Sequence, residues 1–415
     1  MKTKPVLLFL VDALGIDFIN HQNMPYLSDL AKNHALKPMT PVLGYSDVQR
    51  ASLFTGRYPQ DIGYWTDFRM IPNSSPLKPF SRLSFLDYIP SDFIRRVIKY
   101  FLAKTLSPIQ ARMTGYDELP LYNIPLRVIQ HFQPSLKKSM FDKEPFQSIP
   151  TIFDLCRQHE QEFAVVRSDV FGLRHMFSKA SSVAKLVSKE VLKVNPNVKL
   201  LYVYLHTIDM LGHRYGIRSN KFKDVLLDAD QAIKTIVEAA RERLGQSLEV
   251  AIVSDHGMNH TQEFIDYTYL LKQPGFGKDY IVALDSTMVR LWYFTESAKH
   301  RIHSLVEESQ HGTFLTPKEL SQLGVHFTNS DYYQEVYLLR PGLSIFPNYH
   351  SYLKPLAMHA YHPKFKDQTA VAFFIGPELE RLTERAQKLN IIDIMPILKK
   401  VLGFNKSTYA NHQQS

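Results

Sequence analysis

Two stretches of this chain end an unbroken apolar run in a carboxylate. Val6-Leu7-Leu8-Phe9-Leu10-Val11 runs directly into Asp12, and Val250 to Ser254 runs into Asp255-His256-Gly257. A strand covered on both faces has no solvent side to alternate with, so it reads as a continuous hydrophobic segment. Similar runs rich in Val, Ile, Phe and Tyr recur at 6–11, 163–166, 199–205, 249–253 and 369–375, with helix-like segments between several of them. That alternation predicts an α/β fold with a mostly parallel central sheet and helices on both faces. Predicted helices include 24–34 (beginning near Pro25), 46–55 (ending before Gly56), 220–244 and 379–389.

At 415 residues the chain is long enough for one large α/β domain carrying insertions. We read 1–415 as a single catalytic domain. Residues 76–148 break the pattern with prolines at 76, 79, 90, 108, 120, 125, 134 and 145 and read as an insertion; residues 271–345 form a second irregular block, a cap subregion. Within the insertion, Phe93-Ile94-Arg95-Arg96-Val97-Ile98-Lys99-Tyr100-Phe101-Leu102-Ala103-Lys104 has two readings. It is a basic amphipathic helix lying on a membrane or over a cleft, or a surface helix with its Lys and Arg turned outward.

An apolar fraction of 45% and a charged fraction of 21% place the chain among folded soluble proteins. The net charge of +9 suits an anionic substrate or is a solvated basic surface. Nucleic-acid polymer binding is not expected, since there is no dense Lys/Arg block and no helix-turn-helix or zinc-finger spacing. Cys156 is the single cysteine, so no intrachain disulfide forms. The apolar run at 6–11 is too short for a signal peptide and ends in Asp12, and no window of about 18 apolar residues predicts a transmembrane helix. Together these predict a cytoplasmic protein; oligomeric state is not legible.

In open α/β sheets ligands bind beyond the carboxyl ends of the strands, which would bring Asp12 and Asp255 to one rim. The run 199–205 leads to His206-Thr207-Ile208-Asp209-Met210-Leu211-Gly212-His213, where Asp209 and His213, four apart, face the same way on a helical turn. His359 precedes the last apolar run. Three Asp and three His at strand ends form the mixed nitrogen and oxygen donor set that zinc accepts. Taken one at a time each is weaker: an Asp at a strand end is often a helix cap.

Ser46-Asp47-Val48-Gln49 opens a predicted helix as a capping box, with Ser46 at the N-cap and Gln49 reaching back. A serine at a helix N-terminus also lies beside backbone N–H donors and the positive end of the dipole, which suits phosphate. Coordination to zinc would favour the alkoxide of an otherwise poor nucleophile.

These residues resemble the nucleotide pyrophosphatase/phosphodiesterase branch of the alkaline phosphatase superfamily. The matching segments are Leu10-Val11-Asp12, Ser46 with Thr55-Gly56-Arg57-Tyr58-Pro59, Asp209-x-x-Gly212-His213-x-x-Gly216, Ser254-Asp255-His256-Gly257-Met258 and His359-x-Tyr361. The resemblance implies that Asp209, His213 and His359 hold one zinc and that Asp12, Ser46, Asp255 and His256 hold the other; Mn2+ or another divalent ion would suit the same donors. It implies Ser46 as the nucleophile, a phosphoseryl intermediate, and two ions about 4 Å apart clamping both ends of an in-line displacement. The implied substrate is a small phosphodiester or phosphoanhydride, with Gln49, Arg50 and Asp67 as candidate substrate contacts.

Three departures matter. Ser46 stands where the branch commonly has threonine, and the pattern around Gln49 differs from its usual Thr-x-Pro-Asn. Asp67 falls where the branch usually places a phosphate-contacting asparagine, and a carboxylate there repels phosphate unless protonated, paired or turned away. The segment Ser46-x-Val48-x-Arg50 also resembles the sulfatase signature, with Val48 in place of the usual proline and Asp12-Ala13 in place of paired aspartates. A sulfatase or phosphonate monoester hydrolase, and a catalytically idle binding protein, are the alternatives.

Overall fold

The apolar runs become the strands of one sheet. The computed structural model describes residues 4–34, 36–71, 74–146, 149–171 and 178–404. Among them the largest sheet has seven strands, in the order Leu389–Asn390, Lys37–Thr40, Ala370–Ile375, Glu249–Val253, Val6–Val11, Leu200–Leu205, Phe163–Arg167. Val6–Val11 is an interior strand, parallel to Leu200–Leu205 on one side and to Glu249–Val253, the middle strand, on the other. Every residue of these three strands is buried, which is why the sequence shows no polar alternation there.

Only Ala370–Ile375 runs against its neighbours, antiparallel to both Glu249–Val253 and Lys37–Thr40. Two strands lay outside the sequence reading. Lys37–Thr40 carries Pro38, which argues against a strand on local grounds, and Leu389–Asn390 was expected as the end of a helix over 379–389. That helix instead spans Pro377–Thr383, and Leu389 pairs with Met39; strand pairing overrides the helix-forming composition of the intervening residues.

Helices cover both faces. Leu7, Phe9 and Val11 pack with the helices Pro25–Asn33, Ala180–Lys193 and Asn220–Leu244, whereas Val6, Leu8 and Leu10 pack with Ser46–Thr55, Ile152–Gln158 and Ile394–Val401. The third core lies outside the large sheet. It joins Leu77 to Phe132 of the insertion, with Phe68 and Met70 just before it, to Ile265 through Tyr349, and is built on a four-stranded antiparallel sheet: Tyr280–Leu284, Met288–Tyr293, Glu335–Leu339, Gly312–Phe314. The two irregular blocks of the sequence therefore share one hydrophobic interior. The segment 93–104 belongs to a longer helix, Asp92–Thr114.

Candidate active site

Asp12, Asp255 and the helix Thr207–Tyr215 all follow the carboxyl ends of adjacent strands, so sheet topology alone brings residues from positions 12, 209 and 255 to one rim. His359 arrives from the other side. The two-residue strand Ala357–Met358 pairs with Asn259–His260, and the Ala357 carbonyl accepts from His213 Nδ1 at 2.6 Å. Close approach of the backbone needs Gly257, where a Cβ would stand 2.2 Å from the Asp367 carbonyl oxygen. Two alanines that follow ligand candidates, Ala13 (φ 59°) and Ala360 (φ 65°), hold left-handed backbone, a conformation that costs a non-glycine residue about 1 kcal/mol and persists where the surroundings enforce it.

The six Asp and His candidates assemble as two triads, Asp209/His213/His359 and Asp12/Asp255/His256, in each of which the donor atoms lie within 4.8 Å of one another. In the first, Asp209 Oδ1 is 3.2 Å from His213 Nε2 and 3.6 Å from His359 Nε2. In the second, His256 Nε2 is 3.4 Å from Asp12 Oδ1 and 3.5 Å from Asp255 Oδ2. The imidazoles of His256 and His359 stack at 3.7 Å, joining the triads. His256 Nδ1 faces the Gly257 carbonyl at 2.9 Å, so that nitrogen carries the hydrogen and Nε2 presents its lone pair to Ser46 Oγ, also at 2.9 Å.

The carboxylates are not satisfied by the protein. Asp255 Oδ1 accepts from the Ala13 and His256 amides and Asp12 Oδ2 from the Tyr204 hydroxyl. In contrast Asp12 Oδ1 and Asp255 Oδ2 are buried without a hydrogen-bond donor, and Asp209 Oδ1 faces only the imidazoles of His213 and His359. Burial, and then the neighbouring carboxylates, push Asp12 well above the usual carboxylate range. Asp255 rises to about 6, mainly through burial, with Asp209 adding to it. Burial also opposes charge on Asp209 and His213, yet their mutual attraction prevails, lowering Asp209 and raising His213 to about 9. Buried carboxylate oxygens that converge without donors fit divalent cations, and the His and Asp mixture fits zinc.

Ser46 begins the helix Ser46–Thr55, but not as its cap. Tyr45 occupies the N-cap position without a side-chain bond, so the expected capping box does not form. Ser46 is directed to His256, and Gln49 folds back past the cap to the approaching loop: its Oε1 accepts from the Val42 amide at 2.9 Å, and its Nε2 donates to the carbonyls of Val42 (2.6 Å) and Gly44 (3.1 Å). Gln49 is thus buried and engaged with backbone, not facing substrate. Gly44 makes the turn at φ 141°, where a Cβ would collide with Val48.

Ser46 lies in a cavity of about 770 Å³ whose lining includes Tyr45, Arg50, Asp67, His213, His350 and His359. Arg50 therefore does face the pocket. It pairs with Asp47 and lies over the Tyr204 ring at 4.8 Å; burial opposes its charge, but Tyr204, Tyr202 and Asp12 more than restore it. Asp67 is paired: its Oδ2 is 3.6 Å from His350 Nδ1, and it also bonds the Tyr122 hydroxyl. His350 Nε2 in turn is 3.0 Å from Asp285 Oδ1, and Asp285 takes Arg290 Nε at 2.6 Å in the buried interior. Burial raises Asp285, but Arg290 and His350 outweigh it and bring it down to about 2. Sequence reasoning named Asp67 but missed His350, Asp285 and Arg290 behind it, and Tyr204. The alternating tyrosines of Leu200–Leu205 were the available signal for Tyr204; nothing local marks His350.

A sheet with two Asp/His triads at its strand ends, beside a serine that opens a helix, is the arrangement of the alkaline phosphatase superfamily. The profile of the family type I phosphodiesterase / nucleotide pyrophosphatase matches residues 6–322, and the chain belongs to that family. No curated protein matches it by sequence. Its fold is similar to murine ectonucleotide pyrophosphatase/phosphodiesterase 5, at TM-score 0.67 and 14% identity over 99% of this chain and 98% of the other. An inactive variant of that murine protein in complex with AMP gives 0.66 and 14%, covering 99% and 97%. The human protein of the same name gives 0.65 and 15%, covering 99% and 97%.

Proposed function

We propose that this protein hydrolyses a small phosphodiester or phosphoanhydride in two displacements, with Ser46 as nucleophile and a phosphoserine between them. The observation that carries this reading is the pair of triads joined by the stacked His256 and His359 rings, one of them touching the Ser46 hydroxyl, with buried oxygens of Asp12 and Asp255 left without donors. Asp209, His213 and His359 would hold one zinc; Asp12, Asp255, His256 and Ser46 would hold the other. Bound there, the ions supply charge neutralisation for the oxygens that enter and leave phosphorus and lower the pKa of the serine hydroxyl and of water.

The chain's own groups do the rest. The Gly257 carbonyl fixes the His256 tautomer, so Nε2 holds the lone pair that zinc would take, 2.9 Å from Ser46 Oγ, which places the serine beside that ligand. Ser46 opens the helix Ser46–Thr55, so the positive end of the helix dipole would favour a phosphoryl group bound at its hydroxyl. Arg50, held by Asp47 and Tyr204, adds a fixed positive charge at the pocket wall. The Asp67–His350 pair stands at the same wall and sets how much negative charge a substrate can bring. The Asp209 triad has no task in a one-calcium sulfatase, which favours phosphorus over sulfur.

The test is a panel of aryl phosphodiester, phosphomonoester, phosphonate monoester and sulfate ester, measured before and after chelation and with zinc restored. The diester should be preferred, chelation should remove turnover, and acid-quenched enzyme should carry phosphate on Ser46 by mass spectrometry. Turnover surviving Ser46→Ala removes the covalent route; formylglycine at position 46 with sulfate preference installs the sulfatase.

A further inference from the structure

The helix Asp92–Thr114 is oriented against its own composition. A surface helix carrying several cations normally turns them to water and packs its apolar stripe inward. Here Arg96 and Lys99 point in. Arg96 donates to the carbonyls of Ser351 and Tyr352 and lies over the Phe346 ring at 4.7 Å. Lys99 donates to the carbonyls of Asn123 and Ile124. The outward arc is correspondingly apolar: Phe93 is 76% exposed, with Ile94, Val97, Tyr100 and Phe101 beside it, and Ile109 and Met113 follow further along. Fixing the two cations on backbone carbonyls leaves the aromatic side no inward direction to take.

The exposed side continues onto the active-site mouth. Tyr100 meets Tyr352 edge to face at 6.4 Å, and Leu353, 79% exposed, projects from the loop whose residues 351–355 line the Ser46 cavity. Lys104, Arg112 and Lys354 are exposed along the same helix and loop. The helix sequence contains five cations and one carboxylate, Asp92, at its first position.

From this we infer that the outer side of Asp92–Thr114, with the 352–354 loop tip, is a docking surface for an anionic phospholipid bilayer and seats the mouth of the catalytic cavity at the headgroup layer. The chemistry fits an interface: large apolar side chains to enter the acyl boundary, tyrosines at the margin where a ring and a hydroxyl meet different media, and cations for headgroup phosphates. A second copy fits less well, because a two-fold contact through this side would bring Lys104, Arg112 and Lys354 against their own equivalents. No helix among the described residues is long and apolar enough to cross a membrane, so the contact is peripheral.

Flotation with phosphatidylcholine vesicles, with and without phosphatidylglycerol, tests this independently of whether Ser46 turns anything over. Binding is expected to the anionic vesicles and to weaken with salt. Phe93→Ser with Phe101→Ser should reduce it about tenfold or more, and Lys104→Glu with Lys354→Glu should abolish the preference for phosphatidylglycerol, both with the melting temperature kept. Because Cys156 is buried, a cysteine at Phe101 can be labelled selectively with an environment-sensitive dye. Its emission should shift blue on vesicles, while a label at Lys189→Cys should not respond. Absence of vesicle binding, equal binding by the Phe variant, or a dimer that the Phe variant converts to monomer each overturns the inference.

Discussion

Replacing Asp255 by asparagine should make the metal-free protein more stable while removing its response to zinc. The carboxyl is fully buried, and its environment moves it from an ordinary 3.8 to about 6. At about 1.4 kcal/mol for each tenfold change in proton affinity, ionisation inside the fold costs about 3 kcal/mol once the pH is well above 6. Asparagine retains the oxygen that accepts from the Ala13 and His256 amides and removes the charge on Oδ2, which has no donor. In wild type the folded-state pKa is above the unfolded one, so the penalty is absent below about pH 4 and develops as pH rises through 6. The metal-free variant should therefore melt a few degrees higher than wild type at pH 8, with the gap closing toward pH 4. Zinc should reverse the order at pH 8, because binding to the native state raises only the wild type appreciably. Thermal unfolding in chelator and in zinc, at pH 4, 6 and 8, checks all three statements. A variant less stable than wild type in chelator at pH 8 would refute the claim that the pocket holds uncompensated negative charge.

Gln49→Leu should cost about 3 kcal/mol, since three hydrogen bonds to the buried 42–44 backbone lose their partner; a chemical denaturation midpoint unchanged from wild type would contradict the bracing role. Asp67→Asn should lower KM for a dianionic phosphomonoester about fivefold by removing a charge at the pocket wall, with little change for a monoanionic diester, and steady-state kinetics on both distinguish the outcomes. Arg290→Met should destabilise by about 3–5 kcal/mol because it strands buried Asp285, whereas Arg290→Met with Asp285→Leu should recover much of that loss in the same unfolding assay.

The parts of this molecule that were legible in sequence are those governed by a single local rule. Val6–Val11 and Glu249–Val253 could be read because burial on both faces leaves an unbroken apolar run, and the terminal Asp12 and Asp255 followed from where strands end in such a sheet. Asp209 and His213 were legible because four residues on a helix bring two side chains to one side. What failed were features settled by partners outside the element itself. Gln49 has the spacing of a capping box, yet the Val42 and Gly44 backbone competes for its amide and wins. Asp67 looked hostile to phosphate because His350, its partner, lies 283 positions away (350 − 67). The sense of Asp92–Thr114 was open because composition counts cations without saying which of them find carbonyls. Pro38 concealed a strand that exists because two neighbours, Ala370–Ile375 and Leu389–Asn390, need an edge to pair with.

The candidate metal donors are drawn from residue 12, residues 209 and 213, residues 255 and 256, and residue 359. His359 reaches its place only after the antiparallel sheet of the third core has been traversed and Ala357–Met358 has found Asn259–His260. A chain lacking that segment cannot close the triad of Asp209, His213 and His359. Long-range closures of this kind come late because their entropy must be met before any contact rewards it. If the triads hold ions as proposed, ion retention reports completed folding, because the Asp209 triad is assembled only once the segment around His359 is in position.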